Sequence, residues 1–152
     1  MENKTKLFID MDGVCADFIK AVKAHPDYEI SVEHDLIDQL DVFGILEPMP
    51  GAIDAITKIW NSGKYDMYIA STAPWGNTAA WTHKREWIEK YLPMFKKRLI
   101  LTHHKDMLCG TEKDIIVDDR LKNGVEKWKG VHLHYGTEGM ETWKEVLDYL
   151  EK

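Results

Sequence analysis

The stretch Phe8–Phe18, FIDMDGVCADF, runs an apolar segment straight into two carboxylates and a glycine. Leu7, Phe8 and Ile9 read as a buried strand; Asp10 and Asp12 follow with one residue between them, and Gly13 comes next. Carboxylates are seldom buried unless something compensates them. In extended chain, residues two apart point to the same side, roughly 7 Å apart at ~3.3 Å per residue. The pair therefore projects together from the strand's carboxyl end. Asp114–Arg120, DIIVDDR, repeats the theme: Ile115, Ile116 and Val117 deliver Asp118 and Asp119.

Outward from these two stretches, short apolar runs alternate with segments of helical period. Strands are expected at Lys6–Asp10, Asp66–Ser71, Arg98–Thr102, Asp114–Asp118 and Gly130–Tyr135. Helices are expected after Gly13, over Gly51–Trp60, over Thr78–Tyr91 and over Met140–Leu150, where Trp143, Val146, Leu147 and Leu150 form a stripe. That alternation predicts an α/β fold, a doubly wound, Rossmann-like parallel sheet of five strands covered on both faces. The acidic stretch from His25 to Pro50 breaks the pattern, with Pro26, Gly44, Pro48 and Pro50 and a short helical segment near Val32–Leu40. Ligands of open α/β sheets bind beyond the carboxyl ends of the strands. An insertion leaving soon after the first strand would overhang that edge as a small helical cap, so one domain over 1–152 with a cap at about 25–50 is expected.

Composition narrows the function. The chain has 152 residues, enough for one real core, with 44% hydrophobic and 30% charged residues. A formal charge of −6 argues against polymeric nucleic acid or an acidic membrane surface as partner. Cys15 and Cys109 are the only cysteines, too few for a disulfide framework, and a reducing cytoplasmic setting fits best. The first residues lack the apolar core of a signal peptide, and no stretch approaches membrane-spanning length.

The two acidic clusters lie at the ends of two parallel strands, so three or four carboxylates converge on one sheet edge. Such a group repels itself unless a cation occupies it, and clustered hard oxygens suit Mg²⁺. Helix capping is the plainer role for a single Asp. It leaves too many of these unexplained. Ser71 and Thr72, in YIASTAPW, place hydroxyls on the same edge, and Lys84 in the Thr78–Tyr91 helix offers an ammonium. Anions beside a carboxylate-held Mg²⁺ are typically phosphates.

In this order, DMDGV, AST, HKREWIEKY and IIVDDR resemble the four motifs of the haloacid dehalogenase (HAD) superfamily, over most of the chain from Lys6 to about Tyr135. Within it, DMDGVCADF, LEPMPGA, HKREWIEKYL and VDDR most resemble the 5'(3')-deoxyribonucleotidases. The resemblance implies a phosphatase in which Asp10 is the nucleophile and Asp12 the general acid and then base. It implies Mg²⁺ held by the Asp10 carboxylate, the Asp12 main-chain carbonyl and Asp118, with Asp119 in support. Ser71, Thr72 and Lys84 would bind phosphate oxygens, and Gly13 would allow the tight turn after the nucleophile. The insertion is shorter than the helical cap of full-size deoxyribonucleotidases, so the phosphate chemistry carries over more fully than a base pocket.

Phe18, by its spacing from Gly13, faces the cap and is a candidate for base stacking or for plain packing. Trp75 and Phe43 are further aromatic candidates. His103, His104, His132 and His134 lack the Cys or Glu spacing of a zinc site and read as isolated surface residues. The expected substrate is a deoxynucleoside monophosphate. Two alternatives stay open: a phosphatase of the same fold for another small ester such as a sugar phosphate, and a non-catalytic phosphate- or partner-binding domain.

Overall fold

In a computed structural model, which describes residues 3–152, five apolar runs pair as one all-parallel sheet. The strands are β1 (Lys6–Ile9), β2 (Asp66–Ser71), β3 (Leu99–Leu101), β4 (Ile115–Asp118) and β5 (Val131–His134), in the order β3-β2-β1-β4-β5. Their centres agree with the expected strands; the ends differ by a residue because the last ladder bonds stop there. The chain builds outward from β1 to one edge, then returns to the other side for β4 and β5. The carboxyl end of β1 thus lies where the order reverses, the crevice in which such sheets bind ligands.

One face of the sheet carries nearly all of the α-helix. Leu7, Ile9, Met67, Ile69, Ile115, Val117 and Leu133 point to it and join one apolar cluster with α1 (Phe18–Ala24), α3 (Ala52–Ser62), α4 (Thr78–Tyr91) and α5 (Trp143–Glu151). The opposite face is thinner. Phe8, Ala70 and Ile116 pack there against Val125, Leu108 and Trp128, which lie on or beside the 3-10 segments Lys105–Leu108 and Val125–Lys127. The crossovers from β3 to β4 and from β4 to β5 are these short turns rather than full helices.

Two expected helices are corrected. The helix after Gly13 starts only at Phe18: Gly13 to Ala16 form a tight turn, and the Asp17 side chain accepts from Lys20 N–H at 3.3 Å as the cap. The single segment at Val32–Leu40 is instead α2 (Tyr28–Glu33) and a 3-10 turn at Ile37–Gln39, split at Asp35 with φ 55°. A non-glycine residue in the left-handed region ends a helix.

The insertion is firmly seated. Its C-terminal end meets the turn after β1, where Met49 N–H donates to Cys15 O at 2.8 Å and Asp17 N–H to Glu47 O at 2.8 Å. From α4, Asn77 Nδ2 donates to Asp38 O at 2.9 Å, and Trp87 Nε1 to Leu46 O at 2.9 Å. Its residues Leu40, Val42, Phe43 and Leu46 are buried in the main apolar cluster.

Candidate active site

Register sets the site. Ile9 lies beside Val117, and Asp10 N–H donates to Val117 O at 3.0 Å, so the next residues, Asp10 and Asp118, emerge side by side. Asp119 joins them: one carboxylate oxygen from each of Asp10, Asp118 and Asp119 lies within 4.8 Å of the others. Asp10 and Asp118 are buried, at 5% and 2% exposure.

Gly13 lets this cluster close. Its φ is +79°, and a Cβ there would lie 2.3 Å from Asp119 Oδ2, so a side chain is excluded by both backbone and space. Asp118 Oδ1 accepts from Arg120 N–H at 3.0 Å, which orients that carboxylate.

Two buried lysines divide the acidic groups between them. Lys84, fully buried on α4, donates to Asp12 Oδ2 at 2.8 Å and to Ser71 Oγ at 2.9 Å. Lys105, 3% exposed, donates to Asp10 Oδ1 at 3.0 Å and to Asp118 Oδ2 at 2.6 Å. Asp10 therefore faces the metal-type cluster, while Asp12 turns to the Lys84 side. Their spacing places both on one side of the strand; the fold gives them different surroundings.

Electrostatics follow the geometry. Burial pushes the Asp12 carboxyl up, Lys84 opposes it, and the Asp10 charge adds to it. Burial likewise raises Asp118, with Asp10 adding and Lys105 opposing. Asp119 is pushed up to about 7, by burial first and then by the Asp10 and Asp118 charges. Asp119 Oδ1 and Asp12 Oδ1 are buried with no hydrogen-bond partner. Three carboxylates, two of them bound to the Lys105 ammonium and the third carrying an orphaned buried oxygen, form an all-oxygen donor set that fits a divalent cation.

Several expected site residues stand differently. The Thr72 hydroxyl donates to Thr102 O at 2.7 Å, tying β2 to the end of β3 rather than turning toward Lys84. The Asp12 carboxylate lies outside the cluster formed by Asp10, Asp118 and Asp119, bound to Lys84. Phe18 and Phe43 do meet, with ring centroids 5.5 Å apart and planes at 25°, and Lys84 Nζ lies 4.9 Å from the Phe43 centroid. Phe43 is buried, however, so only Phe18 keeps an open side. Trp75 is 82% exposed.

The model of the family described as 5' nucleotidase, deoxy (pyrimidine), cytosolic type C protein matches residues 24–146. This chain belongs to that family. A Vibrio phage KVP40 protein provisionally named a 5'(3')-deoxyribonucleotidase is 38% identical over 150 residues, covering 97% of this chain and 85% of its own. The human cytosolic 5'(3')-deoxyribonucleotidase is 26% identical over 150 residues, covering 79% of this chain and 73% of its own. Among solved structures, the magnesium-bound HAD-hydrolase YfnB of Bacillus subtilis superposes with a TM-score of 0.61 at 12% identity, covering 99% of this chain and all of that one. A HAD-superfamily hydrolase of Geobacter sulfurreducens does so at 0.57 and 13%, covering 97% and 96%. At such identities these structures establish the fold, which is HAD-like. Family membership makes the chain a nucleotidase, a phosphoric monoester hydrolase.

Lys105 is the site residue that sequence reasoning about this nucleotidase missed. It follows β3 by a few residues in THHKD, where a lysine looks solvated. The signal lies in Gly124, with φ +94°: a Cβ there would lie 2.7 Å from Lys105 N and 2.3 Å from Asp106 Oδ1. The two 3-10 segments pack closely only over a glycine, and that packing swings Lys105 under the sheet edge, its N–H donating to Asn123 O at 2.8 Å. The other half of this signal, a contact across about twenty residues, has no mark in local sequence.

Proposed function

We propose that this nucleotidase hydrolyses deoxynucleoside monophosphates with Mg²⁺ through a phosphoryl group carried on Asp10. The observation that carries the reading is the division of the paired aspartates, Asp10 with the carboxylate cluster and Asp12 on Lys84. A nucleophile beside a metal-type cluster and an acid kept apart from it are what two-step phosphate-ester hydrolysis requires.

In the first step an Asp10 carboxylate oxygen attacks phosphorus. The bond from phosphorus to the ester oxygen breaks, and Asp12 gives its proton to the leaving nucleoside alkoxide. Burial raises the Asp12 carboxyl above its ordinary range, the direction that favours a proton donor. In the second step Asp12, now ionised, takes a proton from water as the water oxygen attacks phosphorus. The bond to Asp10 breaks, and inorganic phosphate leaves. Lys84 and Ser71, joined at 2.9 Å, bind phosphate oxygens, with the Thr72 segment completing the strand end. Asp10, Asp118 and Asp119, with the Asp12 carbonyl, would hold Mg²⁺, which supplies charge neutralisation for the phosphoryl oxygens. Lys105 keeps Asp10 and Asp118 from repelling each other.

The insertion at about 25–50 serves as a small fixed cap on a single domain. Phe18, backed by Phe43, offers a ring face for the nucleobase, and Trp75 is the second, exposed wall. The two free cysteines, one of them buried, suit a reducing compartment such as the cytoplasm. No helix among the described residues is long and apolar enough to cross a membrane.

The test is phosphate release from a panel of phosphomonoesters, with and without Mg²⁺. Deoxyuridine and thymidine monophosphates are expected to lead in kcat/KM, with activity abolished by chelator. Equal kcat/KM for nucleotides and sugar phosphates would remove the base pocket while leaving the phosphate chemistry. Undiminished release in excess chelator would remove the metal.

A further inference from the structure

We propose that His132 and His134 are positioning residues that hold the metal-binding strand end in shape. Both sit on β5, the edge strand, two residues apart and so on one face, with rings stacked at 4.9 Å and 22°. His132 Nε2 lies 2.9 Å from Asp118 O, and His134 Nε2 lies 3.1 Å from Asp119 O. A carbonyl oxygen only accepts, so each ring keeps its proton on Nε2 and donates it. The two rings thus grip consecutive carbonyls of the two residues whose carboxylates join Asp10 in the cluster.

The need arises where the sheet stops. The Asp118 carbonyl still receives a ladder bond from Tyr135 N–H at 3.0 Å. Asp119 lies beyond β4, and no backbone N–H among the described residues reaches its carbonyl. Its carboxylate, meanwhile, is crowded over Gly13 and carries an orphaned oxygen. His134 therefore extends the pairing one residue past the ladder with a side chain, and His132 doubles the bond before it. Side chains that fix the ligands of a metal govern its affinity, and losing them typically costs about 10–100-fold. This role also answers the sequence pattern: the alternating histidines, which read as isolated surface residues, are half-buried with both Nε2 atoms on carbonyls.

The inference rests on the metal reading above, and the experiment separates the two. The whole chain is titrated with Mg²⁺ by calorimetry, and the metal-free form is melted alongside. His134→Gln places an amide N–H near the reach of Nε2, whereas His134→Asn falls short of it, and His134→Leu removes the donor; the same set is made at His132. The Asn and Leu variants are expected to bind Mg²⁺ about tenfold or more weakly, with Gln within about threefold of the unmodified chain. Should a Leu variant fail to fold, the Asn and Gln pair decides, since the two differ in reach rather than polarity. Unchanged Mg²⁺ affinity in the Asn variants, a Gln variant no better than Asn, or a lower melting temperature with unaltered affinity would overturn the clamp. An unmodified chain that takes up no Mg²⁺ overturns the metal reading itself, and the clamp with it.

Discussion

Replacing Asp119 by Asn in the metal-free protein is expected to remove a pH dependence of stability that the carboxylate cluster creates. Burial lifts the Asp119 carboxyl from its ordinary 3.8 to about 7, with Asp10 and Asp118 adding to the effect and Arg120 opposing it. A carboxyl with a folded value above its unfolded one favours the native state most when protonated. Its contribution is fully present below about pH 4 and is lost as pH rises through about 7. Between those limits one extra proton bound by the native state gives a slope of about 1.4 kcal/mol per pH unit. From pH 5 to pH 7 that is roughly 2–3 kcal/mol, with a ceiling near 4 kcal/mol for the whole interval. Asp118 is raised as well and acts in the same sense. At about 2–4 °C per kcal/mol for a domain of this size, metal-free melting should fall by about 5–10 °C over that range. Circular dichroism melts in chelator from pH 5 to pH 8 measure it, and the difference between the unmodified chain and Asp119→Asn cancels other titrating groups. Saturating Mg²⁺ should flatten the dependence in the unmodified chain. An Asp119→Asn difference that stays constant across pH would refute the reasoning, because the strain would then not lie in the cluster.

Three further outcomes follow from the same geometry. Lys105→Met strips the one ammonium from between Asp10 and Asp118, and breaking such a buried pairing should destabilise the metal-free chain by about 3–5 kcal/mol; Mg²⁺ should recover much of the loss, read as a larger metal-induced rise in melting temperature than the unmodified chain shows. Gly13→Ala forces a Cβ toward Asp119 Oδ2 at a φ of +79° and should cost about 1–2 kcal/mol in backbone strain alone; denaturant unfolding checks it. Phe18→Ala should lower the preference for nucleotides over a small generic phosphoester by roughly tenfold to a hundredfold, the worth of one stacked base, while sparing turnover of the small ester.

The parts of this structure legible in sequence are those set by short-range pattern. Asp66–Ser71 and Thr78–Tyr91 fall within the expected bounds because an unbroken apolar run and a full helical period leave little choice. The carboxylates were legible because Asp10, Asp12, Asp118 and Asp119 follow apolar strands directly, against the grain of burial. What stayed hidden depends on distant contact. Lys105 reaches Asp10 across 95 residues of sequence, through a turn that closes only over Gly124. The two histidines on β5 resemble surface residues until the edge strand is laid beside β4. The start of α1 was misplaced because Gly13 serves the close approach of Asp119, and the helix waits for the Asp17 cap. Phe43 looked like a pocket wall, and its burial against Phe18 follows from the seating of the insertion on α4.

The central claim is that Asp10 carries the phosphoryl group while Asp12 handles the protons. Asp12→Asn leaves the nucleophile and the carboxylate cluster in place and removes the base that activates water. Mixed with an activated phosphoester and Mg²⁺, then digested and analysed by mass spectrometry, this variant should retain one phosphoryl group, located on Asp10. A phosphoryl group on any other residue would contradict the account, as would release of phosphate by Asp10→Asn at the unmodified rate.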